Sequence, residues 1–233
     1  MGEMMIRTAN LSKLYGRVNA LKNVDIQVRK GSIAGLLGPN GSGKSTFMRL
    51  VAGQSRPTRG EIYVKGMKPG VKTKELVSYS PEENHLYPWM KVKEAVHFFR
   101  DFFPFFKEQK TWDLLKFMKL PLDSYISGLS KGMVARLKLA LAMSWGAELV
   151  ILDEPLSGID PASREKIIEG ILMDYRTEEN TMVITTHIVD EIEPLLNQVI
   201  FLKEGEVFLE GEPDRLREQY GFSLDQIFRR ELA

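Results

Sequence analysis

Short apolar runs alternate along this chain with longer segments of helical spacing. Unbroken apolar stretches at 33–37, 149–152 and 182–185 each run into polar or glycine-rich sequence, as strands feeding loops do. Two more lie at 199–203 and 207–210, and Lys203-Glu204-Gly205-Glu206 between them reads as a hairpin turn. Helical periodicity covers roughly 45–52, 91–103, 133–145 and 161–175. Strands apolar on both faces, alternating with helices, predict a largely parallel sheet covered on both sides. Strand-like segments at 25–28 and 61–64 predict a small antiparallel addition. From about Glu82 to Trp145 the strand signal gives way to helix. This predicts one domain over 1–233, with residues 1–81 and 146–233 forming an α/β core and about 82–145 an inserted helical subdomain. Within the insert, Ala95, Phe98, Phe99, Phe102, Phe103 and Phe106 recur at i, i+3, i+4, i+7, i+8 and i+11, a single apolar helical face.

Composition narrows the classes. With 233 residues, 43% of them hydrophobic, the chain can bury a substantial core. Its 32 basic and 31 acidic residues leave a net charge of +1, which points to no polyanionic partner, so no nucleic acid is expected. The absence of cysteine removes disulfides, thiolate metal sites and cysteine nucleophiles. No apolar run approaches the ~18 residues of a membrane-spanning helix. The start, Met1-Gly2-Glu3-Met4-Met5-Ile6-Arg7, lacks the apolar centre of a signal peptide, and Ile6 breaks the myristoylation pattern. The expectation is a cytosolic chain whose membrane work runs through a partner.

The segment Gly38-Pro39-Asn40-Gly41-Ser42-Gly43-Lys44-Ser45-Thr46 satisfies G-x-x-x-x-G-K-[ST] between a predicted strand and a predicted helix, the context that motif requires. Glycines let successive backbone N–H groups turn inward around a polyphosphate. The helix N-terminus adds unpaired N–H donors and the positive end of its dipole. Lys44 can reach the β- and γ-phosphates of ATP, and the Ser45 hydroxyl can ligate Mg²⁺. A glycine-rich turn matching by chance is the bland alternative, and the strand–loop–helix context disfavours it.

Leu149-Val150-Ile151-Leu152-Asp153-Glu154-Pro155 sets two carboxylates at the C-terminal end of an apolar strand, where ligands bind in open α/β sheets. Asp153 suits a hold on Mg²⁺, and Glu154 suits a general base for the attacking water. His187 follows another strand end and fits a γ-phosphate sensor. His85 and His97 read as ordinary polar histidines.

Together these motifs resemble the ABC (ATP-binding cassette) nucleotide-binding domain over essentially the whole chain. Leu129-Ser130-Lys131-Gly132-Met133 is similar to that family's LSGGQ signature: Ser130 and Gly132 match, while Lys131 and Met133 depart. The resemblance implies a P-loop NTPase fold with a RecA-like, mostly parallel core. It implies that Ser130 and Gly132 touch the γ-phosphate held by a second subunit, and that Tyr15 stacks on adenine. Ser157-Gly158-Ile159-Asp160 resembles the loop linking the two sites of the dimer. Glu82 stands where the family usually has a glutamine near Mg²⁺ and the lytic water. A carboxylate there still ligates Mg²⁺ but adds negative charge and donates no hydrogen bond. The nearest groups are bacterial ABC-2-type export ATPases, YtrB-like or bacitracin-resistance-like. The likeness implies a Mg²⁺-dependent ATPase, peripheral on the inner face of the membrane, that powers separately encoded permease subunits. It implies a head-to-tail homodimer, with a heterodimer also compatible. Leu86, Tyr87 and Trp89 precede the regular aromatic stripe, and some of them are expected to line a groove for a permease helix. A soluble ABC ATPase and a non-hydrolysing regulatory module are the alternatives.

Overall fold

The parallel sheet grows from the apolar runs. A computed structural model describes residues 3–178 and 180–232. In chain order the first elements are β1 (Met4–Tyr15), β2 (Val18–Val24), β3 (Gln27–Arg29), β4 (Ile33–Leu37), α1 (Lys44–Val51), β5 (Arg59–Val64), α2 (Val71–Lys74) and β6 (Val77–Ser80). Three helices come next, α3 (Val92–Phe102), α4 (Glu108–Phe117) and α5 (Lys131–Met143). The chain continues through β7 (Leu149–Asp153), α6 (Pro161–Glu178), β8 (Thr181–Thr186), α7 (Val189–Ile192), β9 (Gln198–Lys203), β10 (Glu206–Gly211), α8 (Pro213–Tyr220) and α9 (Leu224–Leu232). The main sheet has the order β10-β9-β4-β8-β7-β6, parallel except for the β9–β10 hairpin, which turns at Glu204-Gly205 as expected. A second, antiparallel sheet is built around β1, which pairs with β2, β3 and β5.

β4, β7 and β8 are buried at every position because the main sheet is covered on both faces. Alternate residues of a strand face opposite sides, and the two cores divide accordingly. Ile33 and Leu37 pack with Val150, Leu152, Met182 and Ile184 against α3–α6. Ala34 and Leu36 pack with Ile151, Val183, Phe47 and Met48 toward the antiparallel sheet.

Three expectations need correction. The strand placed at 25–28 is β3 and starts at Gln27, because Asp25 makes a turn contact, its Oδ1 accepting from the Asn10 N–H at 2.6 Å. The aromatic face does not continue as helix: α3 stops at Phe102, and Phe103 is extended (φ −121°, ψ 107°) ahead of Pro104, a position that disfavours helix. Phe103 and Phe106 still pack on Phe99, while Phe102 points out at 66% exposure. The helix placed at 133–145 begins earlier, at Lys131, because Ser130 caps it. Among the described residues, no helix is long and apolar enough to cross a membrane.

Candidate functional site

β4 runs up the middle of the main sheet and delivers the chain into residues 38–43, which turn back into α1. The turn depends on Gly43, whose φ of 108° lies in the left-handed region; a Cβ there would sit 2.5 Å from the Ala20 carbonyl oxygen. Lys44 is only 6% exposed and folds over this loop, its Nζ donating to the carbonyls of Gly38 (2.7 Å) and Pro39 (3.1 Å). Burial pushes its ammonium below the ordinary lysine range, and the carboxylates of Glu154, Asp153 and Glu82 oppose that shift. Beside it opens a groove of 540 Å³ lined by Asn40, Gly41, Gly43, Lys44, Ser45 and Thr46 from the loop and α1. Glu82, Glu154, Glu204 and the β2 residues Val18, Asn19, Ala20 and Lys22 complete it.

β7 brings the acids to the same edge. Asp153 accepts at Oδ1 from Thr185 Oγ1 (2.7 Å) and Ser45 Oγ (3.4 Å), and at Oδ2 from Tyr79 Oη (3.2 Å). The Tyr79 phenol is pushed well above its usual range, by burial first and then by the Asp153 charge, so it remains a donor. Glu154 leaves the strand register at a φ of 48°, a left-handed conformation uncommon outside glycine. Its N–H is held by Thr185 Oγ1 at 2.8 Å. Its Oε2 lies 2.8 Å from His187 Nδ1. Its buried Oε1 has no hydrogen-bond partner among the described residues and lies 3.8 Å from Lys44 Nζ. Lys44, Ser45, Asp153, Glu154 and His187 are therefore gathered at one place. Thr185 and Tyr79, which fix the two acids, were not anticipated; buried threonines at the end of a strand were the readable signal for the first.

The remaining predicted residues are spread more widely. Glu82 is exposed and faces both the 540 Å³ groove and an adjoining one of 420 Å³, which Asp153, Glu154, Leu129, Lys131 and Ser157 also line. Ser130 is exposed and caps α5, its Oγ accepting from the Met133 N–H at 3.3 Å. Gly132 is buried against α6, and a Cβ would lie 2.4 Å from Ser163 Oγ. Neither lines the 540 Å³ groove, and neither does Tyr15, which is 45% exposed with the Lys13 ammonium 4.9 Å from its ring centre. Asp160 Oδ1 accepts from the Ser163 N–H at 2.9 Å, so the 157–160 loop ends as the cap of α6.

A family model described as ABC transporter matches residues 21–157. The chain belongs to the ABC transporter family. The ABC transporter ATP-binding protein YtrB of Bacillus subtilis (strain 168) is 31% identical to it over 218 residues, 93% of this chain and 75% of that protein. A solved ATP-binding subunit of an ABC transporter has the same fold at a TM-score of 0.86 and 27% identity, covering 97% of this chain and 98% of that one. A dimeric structure of MJ0796, a bacterial ABC transporter cassette, matches with a TM-score of 0.80 and 25% identity, over 89% and 98%.

This ABC cassette also carries aromatic surface beside its helices. Tyr87 (43% exposed) and Trp89 (67%) pack together at 4.8 Å between ring centres, and Tyr87 meets Phe98 edge-on at 5.7 Å. Leu86 is buried in the core below, and with Tyr87 it lines a pocket of 260 Å³. Among the described residues, no three His, Cys, Asp or Glu side chains are grouped to hold a metal.

Proposed function

We propose that this ABC chain binds ATP with Mg²⁺ in the 540 Å³ groove and hydrolyses it, powering a separate membrane permease. The observation that carries the reading is the convergence of Lys44, Asp153 and Glu154. The fit to the nucleotide is supported by the Gly43 turn, too tight for a Cβ, and by the unpartnered Glu154 Oε1 aimed beside Lys44. Backbone N–H groups of 38–46 and the α1 terminus suit the phosphates, and Lys44 suits their β- and γ-oxygens. Ser45 and Asp153 would hold Mg²⁺, with Glu82 at the groove mouth as a third candidate. Mg²⁺ supplies charge neutralisation at the phosphate oxygens.

Glu154 accepts a proton from water as that water attacks the γ-phosphorus; the new P–O bond forms while the bond to the ADP bridging oxygen breaks. His187 holds the far oxygen of Glu154 and stands where a γ-phosphate sensor would. Tyr15, on the hairpin that supplies one wall of the groove, would stack on adenine. The chain acts as one nucleotide-binding domain, with about 82–145 as its helical arm.

Ser130 and Gly132 lie outside the groove of their own chain, which favours a head-to-tail dimer in which each serves the partner's nucleotide; MJ0796 has been solved as a dimer. In the ATP-bound state two copies close, and loss of the γ-phosphate releases them. Export is the favoured direction, on the likeness of the Ser-Lys-Gly-Met segment to ABC-2-type exporters. Glu154→Gln keeps shape and hydrogen bonding but removes the base. ATP affinity should hold while turnover falls about 100-fold or more, and size-exclusion chromatography with ATP should show a stable dimer. Full turnover in this variant would refute the assignment.

The exposed pair Tyr87 and Trp89 is the proposed contact for a permease helix, as large aromatics dominate such contacts. Changing both to alanine should abolish co-purification of the membrane partner and leave ATP affinity intact. Normal co-purification would remove this surface from consideration.

A further inference from the structure

Lys138 lies two turns into α5, and its side chain crosses to the loop that follows β6. Nζ donates to three consecutive carbonyls, those of Pro81 (2.5 Å), Glu82 (2.8 Å) and Glu83 (3.2 Å). An ammonium has three protons and no acceptor, so this set uses its full donor capacity. Lys138 lines two cavities: a 260 Å³ pocket shared with Tyr87, Phe98 and Trp145, and the 420 Å³ groove shared with Glu82, Asp153 and Glu154. Burial pushes its ammonium down to about 8, against the pull of Asp153 and Glu82. Placing a cation in such surroundings is costly unless its partners are fixed.

A plain structural tether is the simplest explanation. Two features go further. The three carbonyls belong to the residue at the groove mouth, Glu82, and to its two neighbours. The helix that holds them is also the helix capped by Ser130. Lys138 lies eight positions after the cap Ser130, a rigid helical span of about 12 Å.

We propose that Lys138 is a positioning residue for Glu82: it fastens residues 81–83 to α5, so that the helix bearing Ser130 also sets the Glu82 carboxylate at the nucleotide groove. A shift of α5 then moves Glu82 with it. The ammonium also offsets the negative charge that Glu82 and Asp153 bring to the same edge. The inference rests on the nucleotide reading of that groove.

The test compares Lys138→Met, which keeps the stem and removes all three donors, with Lys138→Arg, which keeps charge and donors. In the nucleotide-free protein, Lys138→Met should speed amide hydrogen exchange at residues 82–84 about tenfold, with β7 and the rest of α5 within about twofold. In ATP turnover it should lower kcat about tenfold and leave KM within about threefold, while Lys138→Arg recovers most of the loss. Placed on Glu82→Ala, the same change should cost less than about twofold, because it acts through a side chain already gone. Unchanged exchange at 82–84, or the full loss of kcat on the Glu82→Ala background, would overturn the proposal. If Lys138→Met does not fold by its melting curve, Lys138→Gln is read by the same exchange and kinetic criteria. A wild-type protein without Mg²⁺-dependent turnover would instead refute the ATPase reading, and exchange at 82–84 would still decide the tether.

Discussion

At the C-terminal edge of the parallel sheet, Lys44, Asp153 and Glu154 are nearly buried; Lys44 and Glu154 line the 540 Å³ groove, and Asp153 and Glu154 line the adjoining one. At the start of α5, Ser130 is exposed, and its hydroxyl is spent on capping the helix while Gly132 presses against Ser163. Both regions pair a glycine-bearing loop with a helix N-terminus, so their local physics is the same. Their surroundings differ. The first is walled by β2, the phosphate loop, Glu82 and Glu154 and keeps a carboxylate oxygen with no hydrogen-bond partner among the described residues. The second is satisfied within itself and lines no part of that groove. A segment whose Ser130 and Gly132 do not line the nucleotide groove of their own chain fits the proposed dimer, in which a second copy would supply the anion.

The largest effect should come from the enclosed region. Lys44→Ala removes charge-assisted contacts worth about 1.5–3 kcal/mol, so ATP affinity should fall about 100-fold in a filter-binding or fluorescence titration. The loss should appear in the isolated monomer, because every group involved lies in one chain. Undiminished affinity would mean that the enclosed groove is not the nucleotide site.

The same contrast governs what could be read from sequence. The phosphate loop was legible because its chemistry is contiguous: nine consecutive residues that run from the end of a fully buried strand into the first turn of a helix. Asp153 and Glu154 were legible from their place at the end of an apolar run. What holds them was not, since Thr185 and Tyr79 come from neighbouring strands whose adjacency no local pattern encodes. The left-handed backbone at Glu154, which turns its carboxylate toward Lys44, has no sequence signature either. Nothing local marks Lys138, whose carbonyl partners lie 55 to 57 residues away in sequence. The aromatic stripe shows the opposite failure: its period is real, but Pro104 stops the helix at Phe102, and Phe103 and Phe106 reach the same cluster by an irregular path. The α/β alternation was robust because a covered parallel strand must be apolar throughout. The twelve-residue β1, with Thr8, Asn10 and Ser12 in its course, offered no such run.

Ser130→Ala probes the other region and should be milder. Loss of the cap costs about 1 kcal/mol, visible as a lower melting temperature. Monomer affinity for ATP should be unchanged, while turnover in the proposed dimer should fall about tenfold. Mixing the two variants then separates one-chain from two-chain sites. In a dimer of a Lys44→Ala chain with a Ser130→Ala chain, one site carries both lesions and the other carries neither. Random pairing makes half of the dimers mixed, each with one sound site of two, so an equal mixture should regain about a quarter of wild-type turnover. A site completed within one chain predicts no gain above the mean of the two variants measured alone. The signal is the smallest considered, yet no change inside a single chain can imitate it.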